Sequence, residues 1–403
     1  MKKLIVILAV IAMVGAFTAT AMADVELYGS VRFRTYYADV DPGTGVENDS
    51  DLEWRMGTLS RFGANFKSDK ITGKFELDAR AAQFKNDPNT NLVGWGTQNI
   101  ENGSGASSMG NMRLRHLWGE YDFGAGKLLI GQTWPLYDAP VSGINYYAGG
   151  FQPLGGIGYG VSRTAQIRLT FGNLKIAFLP TDTSLSQQFT GYEHLLANDY
   201  VVSKDPDNVI TETDVNLPKI ELRYDMKMDA IALNFIAGYQ TYDSKGTVNG
   251  AAFDDSIDSY VLGVRGKFNF GPAYLGASVT YRQNGANYGA WTTSAFETPT
   301  IENGSVKDGT AWGAVAALGY KVNDMFTLEG SYGYLSSEQD TALTNEDDSA
   351  VYGLLAKVTL APGVYVIPEF IFQDNKDITI DGAPSKDQGD TTIFGVFWMI
   401  NFK

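Results

Sequence analysis

The chain of 403 residues contains no cysteine. Disulfides and thiolate-ligated metal sites are therefore excluded. Histidine is nearly absent as well, with only His116 and His194. A hydrolase needs a nucleophile or an activated water beside a positioned base. His194 has no matched partner in the sequence around it, and His116 lies within a strand pattern. We therefore predict a protein that is not an enzyme, with no catalytic residue, no metal and no cofactor.

Long apolar runs are missing after the first 23 residues. Lys2 and Lys3 precede an apolar run over residues 4–17, and residues 21–23 form an A-x-A site. This pattern predicts a secretory signal peptide, residues 1–23, cleaved before Asp24. No later stretch approaches the roughly 20 consecutive apolar residues of a spanning helix, so membrane insertion would require strands. Residues 24–403 show no linker-like change in composition and are predicted to form one domain.

Positive charge is scarce, since 31 Lys and Arg stand against 46 Asp and Glu for a net charge of −15. Nucleic acid is excluded as a partner because its binding needs clustered positive charge. Most of the acidic surplus lies in three polar segments, residues 38–57, 184–216 and 336–349. The first segment holds an acidic run that could bind Ca²⁺, although its spacing fits no EF-hand loop. That run consists of Asp39, Asp41, Glu47, Asp49 and Asp51.

Short turns alternate with long polar segments along the mature chain. Tight turns are predicted at residues 124–126, 172–173, 227–229, 271–272, 323–324 and 362–363. The segments between them are rich in Gly, Asn and Asp, and soluble domains rarely keep so many long loops. Short periplasmic turns and long extracellular loops are typical of transmembrane β-barrels.

Period-2 alternation predicts sixteen strands with an apolar face toward lipid and a polar face toward a water-filled interior. The predicted strands are 25–37, 58–68, 71–84, 111–123, 126–134, 160–171, 173–183, 217–227, 229–242, 257–270, 272–284, 311–322, 325–335, 350–360, 364–373 and 390–402. Bacterial outer-membrane barrels have even strand numbers, and sixteen strands enclose an aqueous channel. The predicted fold class is all-β, a 16-stranded antiparallel transmembrane β-barrel. A barrel with fewer strands is one alternative, because strand boundaries read from sequence are soft, and a soluble β-sandwich or β-helix is another.

Several motifs resemble those of a known family. Residues 25–29 (V-E-L-Y-G), 60–63 (S-R-F-G) and 72–78 (T-G-K-F-E-L-D) are similar to the first three strands of Gram-negative general porins. Residues 113–120 (R-L-R-H-L-W-G-E) and 129–134 (L-I-G-Q-T-W) resemble segments of the trimeric DcaP-like outer-membrane porins. The resemblance implies a homotrimer of water-filled channels in the outer membrane, with the third long loop folded into each lumen. For the DcaP-like members it also implies small dicarboxylates as solutes.

The third long loop, residues 135–159, differs from the other loops because it is rich in glycine and aromatic residues. Asp138 is its only charged residue, and its aromatic residues include Tyr137, Tyr146, Tyr147 and Phe151. Such a loop gains more by packing against an inner wall than by standing in water. We therefore expect it to constrict the lumen.

Strand phase directs a set of basic side chains into the lumen of the first seven strands, where Glu76 and Asp78 are the clear acids. The predicted basic wall consists of Arg32, Arg34, Arg61, Lys74, Arg80, Arg113, Arg115, Arg168 and Lys175. Rings of Arg and Lys line anion-selective pores, and the guanidinium fork matches carboxylate geometry. The alternative is that these cations pair with acids and are electrostatically silent. In the second half of the barrel the numbers of acidic and basic side chains are more even. A cation-selective or weakly selective channel therefore remains an alternative.

Arg113 and Arg115 have an ambiguous phase. Gly119 and Tyr121 share their alternation and favour an outward orientation of both arginines, whereas Leu114 and Trp118 favour an inward one. Two arginines facing lipid would be costly, so we predict that both point inward. A bulge within the strand would reconcile the two patterns.

These features together predict passive diffusion of small hydrophilic solutes, preferably anions, across the outer membrane. The expected partners are outer-membrane lipid, lipopolysaccharide and the solutes, and the porin resemblance implies two further copies of the chain. A structural or adhesive surface protein is the alternative of another class, because long acidic loops suit partner contact. Single-channel conductance separates the two, since a scaffold gives no stepwise currents.

Overall fold

A computed structural model describes residues 24–43, 48–56, 60–79, 112–146, 163–183, 209–248, 250–290, 296–380, 382–383 and 386–403. The predicted signal peptide lies outside these residues. The strands are β1 (Asp24–Asp41), β2 (Asp49–Met56), β3 (Arg61–Lys67), β4 (Ile71–Ala79), β5 (Met112–Asp122), β6 (Lys127–Thr133), β7 (Thr164–Phe171), β8 (Leu174–Leu179), β9 (Val209–Asp214), β10 (Lys219–Met228), β11 (Ile231–Val248), β12 (Ala251–Phe270), β13 (Ala273–Gln283), β14 (Thr300–Glu302), β15 (Ser305–Lys307), β16 (Gly309–Lys321), β17 (Phe326–Gln339), β18 (Asn345–Ala361), β19 (Val364–Asp374), β20 (Asp377–Thr379), β21 (Lys386–Asp387) and β22 (Asp390–Phe402). Within the described ranges, one four-residue helix, α1 (Gly285–Tyr288), interrupts them.

Twenty of these strands form one closed antiparallel sheet with sixteen positions around the barrel, whereas β14 and β15 form a separate hairpin and β20 and β21 extend from β18. β2 and β3 pair with opposite ends of β1 and share one position. β9 and β10 both pair with β11 and share another. The last strand, β22, pairs with both β19 and β1, which closes the ring. The predicted sixteen-stranded antiparallel barrel is therefore confirmed.

Side chains alternate between the outer and inner faces of the sheet. Leu117, Ile130 and Leu318 project outward and are 54%, 57% and 62% exposed. The neighbouring Ala317 points inward and is fully buried. An exposed apolar band of this kind suits contact with lipid. Within the described part of the chain, no helix has the length and apolarity needed to cross a membrane.

Three segments that were predicted as long polar loops are instead largely strand. β1 and β2 extend into residues 38–57, and β17 and β18 extend into residues 336–349. β11 and β12 continue pairing up to Val248 and Ala251, through residues 243–256. Hydrophobic alternation ends where the lipid ends, but pairing continues because it satisfies backbone N–H and C=O groups regardless of side-chain polarity. The sequence pattern therefore underestimates strand length at the extracellular end.

The predicted bulge lies in β5 at Arg115. Glu76 of β4 is opposite His116, whereas Leu77 is opposite Leu114, so Arg115 has no direct counterpart. The extra residue reverses the phase along β5. Arg115 therefore lies on the side of Glu76, while Leu117 faces outward.

Candidate functional site

After β6, the described part of the third long loop lies against the inner wall of the barrel. Its described part, residues 134–146, is held by three buried carboxylates from distant strands, Glu221, Glu329 and Glu369. Glu221 of β10 accepts the N–H of Leu136 at 2.6 Å and that of Tyr137 at 3.3 Å. Each carboxylate therefore receives a partner from the loop backbone and is withdrawn from water.

Glu329 of β17 holds the middle of the described loop. Its Oε1 accepts a hydrogen bond from the Ser142 hydroxyl and another from the Gly143 N–H, each at 2.7 Å. Its Oε2 accepts the Tyr274 hydroxyl at 2.5 Å. Charge-assisted bonds of this kind are about twice as strong as neutral ones, so Glu329 fixes the loop firmly.

Glu369 of β19 holds the end of the described loop. It accepts the N–H of Asn145 at 2.7 Å, the Asn145 amide at 2.9 Å and the N–H of Tyr146 at 3.0 Å. The Tyr36 hydroxyl donates to the same carboxylate at 2.7 Å. Arg34 of β1 donates to the carbonyl of Tyr146 at 2.9 Å. The loop thus reaches from β6 to the strands that close the barrel.

Around Ile144 the inner wall beneath the loop is apolar, where a polar inner face was predicted. Ile144 packs in a buried cluster with side chains from β16, β18, β19 and β22. These include Val315, Val351, Ile367 and Phe397. Inward-facing apolar residues follow the same period-2 rule as lipid-facing ones, so alternation alone cannot distinguish a wall covered by a loop from one that faces water.

A second loop, which was not predicted to enter the barrel, packs against the third loop. Tyr288 of α1 is fully buried and lies edge-on to Tyr137, with ring centroids 6.0 Å apart. Its hydroxyl donates to Glu221 at 3.1 Å, and Lys219 donates to its carbonyl at 2.6 Å. A side chain at Gly238 would collide with the Tyr288 ring. Residues 284–290 (N-G-A-N-Y-G-A) combine glycine with an aromatic residue. The same composition predicted that the third loop packs against the inner wall, so it could have identified this second loop as well.

Arg115, predicted to line the pore, is buried and ion-paired instead. It is 2% exposed, its Nε contacts Glu76, and its Nη1 lies 3.6 Å from Asp78. Both carboxylates are also buried. Desolvated charges are retained only when they are paired, so this cation adds no free positive charge to the lumen.

Arg61 and Lys74 share the remaining side of the same carboxylate. Each lies 3.6 Å from Glu76 Oε2, with side chains 29% and 27% exposed. Lys175 contacts Asp225 at 2.6 Å, as does Arg223. These cations reach water, but each has an acid beside it.

Arg32, Arg34 and Arg168 have no carboxylate oxygen within 4.0 Å among the described residues. Arg32 is half-buried, donates to Ser30 Oγ at 3.2 Å and lies 6.0 Å from the Phe397 ring centroid. Arg168 donates to the Trp134 carbonyl at 2.5 Å. Arg34 is 5% exposed and is used to hold the third loop. Arg32 and Arg168 therefore offer the lumen positive charge without a paired acid.

The remaining predicted site residues are only partly placed. Tyr137 is buried, whereas Asp138 and Tyr146 are half-buried. Arg113 is opposite Asp78 in the ladder, and its side chain lies outside the described residues. Arg80, Tyr147 and Phe151 also lie outside them.

Sequence and fold comparisons agree with this architecture. The family model for Gram-negative porins matches residues 8–377. The outer-membrane channel DcaP of Acinetobacter baumannii is 16% identical, with 94% of this chain and 97% of that chain covered at a TM-score of 0.63. The trimer form of OmpT, an outer-membrane protein of Vibrio cholerae, is 16% identical, with 94% and 99% covered at 0.53.

The anion-selective porin from Comamonas acidovorans is 14% identical, with 94% of this chain and all of that chain covered at a TM-score of 0.51. No curated protein sequence matches the chain significantly. Identities this low show a shared fold, whereas the family match extends over most of the chain. The resemblance in the N-terminal motifs is thereby confirmed, and the protein belongs to the Gram-negative porin family as an outer-membrane channel.

Proposed function

We propose that this porin is a passive diffusion channel that prefers anions, with small dicarboxylates among its solutes and the third long loop as its constriction. The proposal rests on a difference in exposure between the acidic and the basic side chains of the barrel wall. Glu221, Glu329 and Glu369 are at most 4% exposed because the loop backbone covers them. Arg32 and Arg168 remain half-buried, with no carboxylate oxygen within 4.0 Å in the described part of the chain. Among these wall residues, the charges that stay accessible are positive, which favours anions.

The ion preference is tested by the reversal potential of the purified protein in a planar bilayer under a KCl gradient. We expect a reversal potential with the sign that an anion-preferring channel gives. Replacing Arg32 and Arg168 together by glutamine should lower the chloride-to-potassium permeability ratio, because both cations act without a paired acid. Lys321→Gln is the control, since Lys321 is exposed at a short turn and paired with Asp324.

A potassium-preferring wild-type channel would contradict the proposal and favour the cation-selective alternative. An unchanged permeability ratio in the Arg32 and Arg168 variant would show that these two residues do not set the ion preference. Absence of stepwise currents would favour the structural or adhesive alternative.

We also propose that three copies associate, as the motif resemblance implies. Closed symmetry is the usual outcome for identical subunits. In mild detergent, light scattering coupled to gel filtration should give three times the mass of one chain after subtraction of the detergent. A particle with the mass of a single chain would contradict trimerisation without affecting the ion preference.

A further inference from the structure

A small pocket lies between the third loop and the wall formed by β12, β13 and β17. Its volume is about 200 Å³, and its lining includes Val141, Gly143, Arg265, Lys267 and Tyr274. None of the predicted site residues lines it. Lys267 is four residues before the short turn at Gly271, which places the pocket on the periplasmic side of the barrel.

The pocket is held in shape by close contacts on two sides. A Cβ at Gly276 would lie 2.9 Å from Val141 Cγ1, so this glycine lets the loop approach β13. The Tyr274 ring lies against Gly319, where any side chain would collide with it. Glu329 then binds both the loop and the Tyr274 hydroxyl. The loop side and the aromatic side of the pocket are therefore anchored to one carboxylate.

Neither cation of the pocket makes a direct ion pair within the described part of the chain. Arg265 donates to Asn234 Oδ1 at 3.1 Å, and Lys267 Nζ lies 5.4 Å from the Tyr274 ring centroid. Among the described residues, no carboxylate oxygen lies within 4.0 Å of either cation. Glu329 lines the pocket, but its hydrogen bonds to Ser142, Gly143 and Tyr274 occupy both of its oxygens. The pocket thus combines two cations that make no direct ion pair, the hydrogen-bonded carboxylate of Glu329, an aromatic ring and a valine side chain.

We propose that this pocket is a transient binding site for a small organic carboxylate with an apolar body. This proposal depends on the proposed function, because the anionic solute must first enter the lumen to reach the pocket. The carboxylate binds the guanidinium fork of Arg265 and the ammonium of Lys267. The apolar body covers Val141 and the Tyr274 ring and leaves water. Such a solute pauses on the wall opposite the predicted basic wall before it leaves the channel.

Hexanoate is a suitable probe, with acetate as its comparison because it has the same charge and almost no apolar body. Single-channel currents in KCl are recorded while either anion is added. We expect saturable, concentration-dependent block by hexanoate at concentrations where acetate has little effect. Replacing Arg265 and Lys267 by glutamine should weaken the block about tenfold, since each partly exposed charge pair contributes modestly.

Lys357→Gln, compared with the single Lys267→Gln variant, is the matched control. Lys357 Nζ lies 4.3 Å from the Tyr365 ring centroid, as Lys267 lies near Tyr274, but it does not line the pocket. Its hexanoate block should equal that of the wild type. Stepwise currents from every variant show that the barrels are folded.

Three outcomes would overturn the site: no saturable block of the wild type, equal block by acetate, or an unweakened block in the Arg265 and Lys267 variant. Failure of the proposed function is seen separately, as a potassium-preferring reversal potential of the wild-type channel. Saturable block with normal anion preference, lost only when the pocket cations are removed, supports the assignment.

Discussion

Replacing Glu369 by alanine should raise the single-channel conductance and make the current noisy. The change removes the acceptor for the Asn145 N–H, the Asn145 amide, the Tyr146 N–H and the Tyr36 hydroxyl. Loss of hydrogen bonds to a buried charged group costs about 3 kcal/mol or more, which shifts the docked population of the loop end by about 100-fold. The released segment moves within the lumen, and planar-bilayer recording measures both effects.

Glu338→Ala is the control for this experiment, because Glu338 is an exposed glutamate at the outer end of β17. Its conductance should equal that of the wild type. Glu369→Gln keeps one carbonyl acceptor and should have an intermediate effect. If Glu369→Ala conducts like the wild type, the described end of the loop does not limit the current.

Replacing Arg115 by alanine should destabilise the barrel by about 3 to 5 kcal/mol, the usual cost of removing one partner from a buried ion pair. Glu76 and Asp78 are 1% and 0% exposed and would lose their most buried cation. The measurement is the urea dependence of unfolding in detergent, compared with that of the wild type at the same pH.

Arg61→Ala is the matched control, since Arg61 contacts the same Glu76 at 3.6 Å with a side chain 29% exposed. A partly exposed pair contributes about 1 kcal/mol at most, so this variant should stay close to the wild type. Replacing Arg115 by leucine together with Glu76→Gln and Asp78→Asn should recover much of the stability, because no uncompensated charge remains buried. Equal stability of Arg115→Ala and Arg61→Ala would show that burial of the pair has no energetic consequence.

The barrel could be predicted from the sequence because lipid imposes a simple rule on each strand. A charged side chain facing lipid is costly, so outward positions such as Leu117 and Leu318 are apolar and the period-2 pattern is strong. The bulge at Arg115 could also be predicted, because it alone reconciled two conflicting phases within one strand. The composition of the third loop predicted packing against a wall, and Ile144 does pack in a buried cluster on the wall.

The contents of the lumen were harder to predict because they depend on contacts between residues far apart in the chain. Glu221, Glu329 and Glu369 resemble ordinary pore-lining acids in the sequence, and only their hydrogen bonds to the loop show that they are withdrawn from water. Arg115 likewise looks like a free pore cation until its pairing with Glu76 is known. Local patterns predict which face a side chain occupies, but not what covers it.

The attachment of the third loop also constrains the order of steps in the folding of the barrel. Glu221 follows its loop partner Leu136 by 85 residues, and Glu369 follows Asn145 by 224. Closing chain segments of this length costs conformational entropy, so such long-range contacts form slowly. Docking of the loop end must therefore wait until β19 is in place beside β22. Before that point the Asn145 N–H lacks its carboxylate acceptor, so the attachment of residues 135–146 is completed only when strands from both halves of the barrel are present.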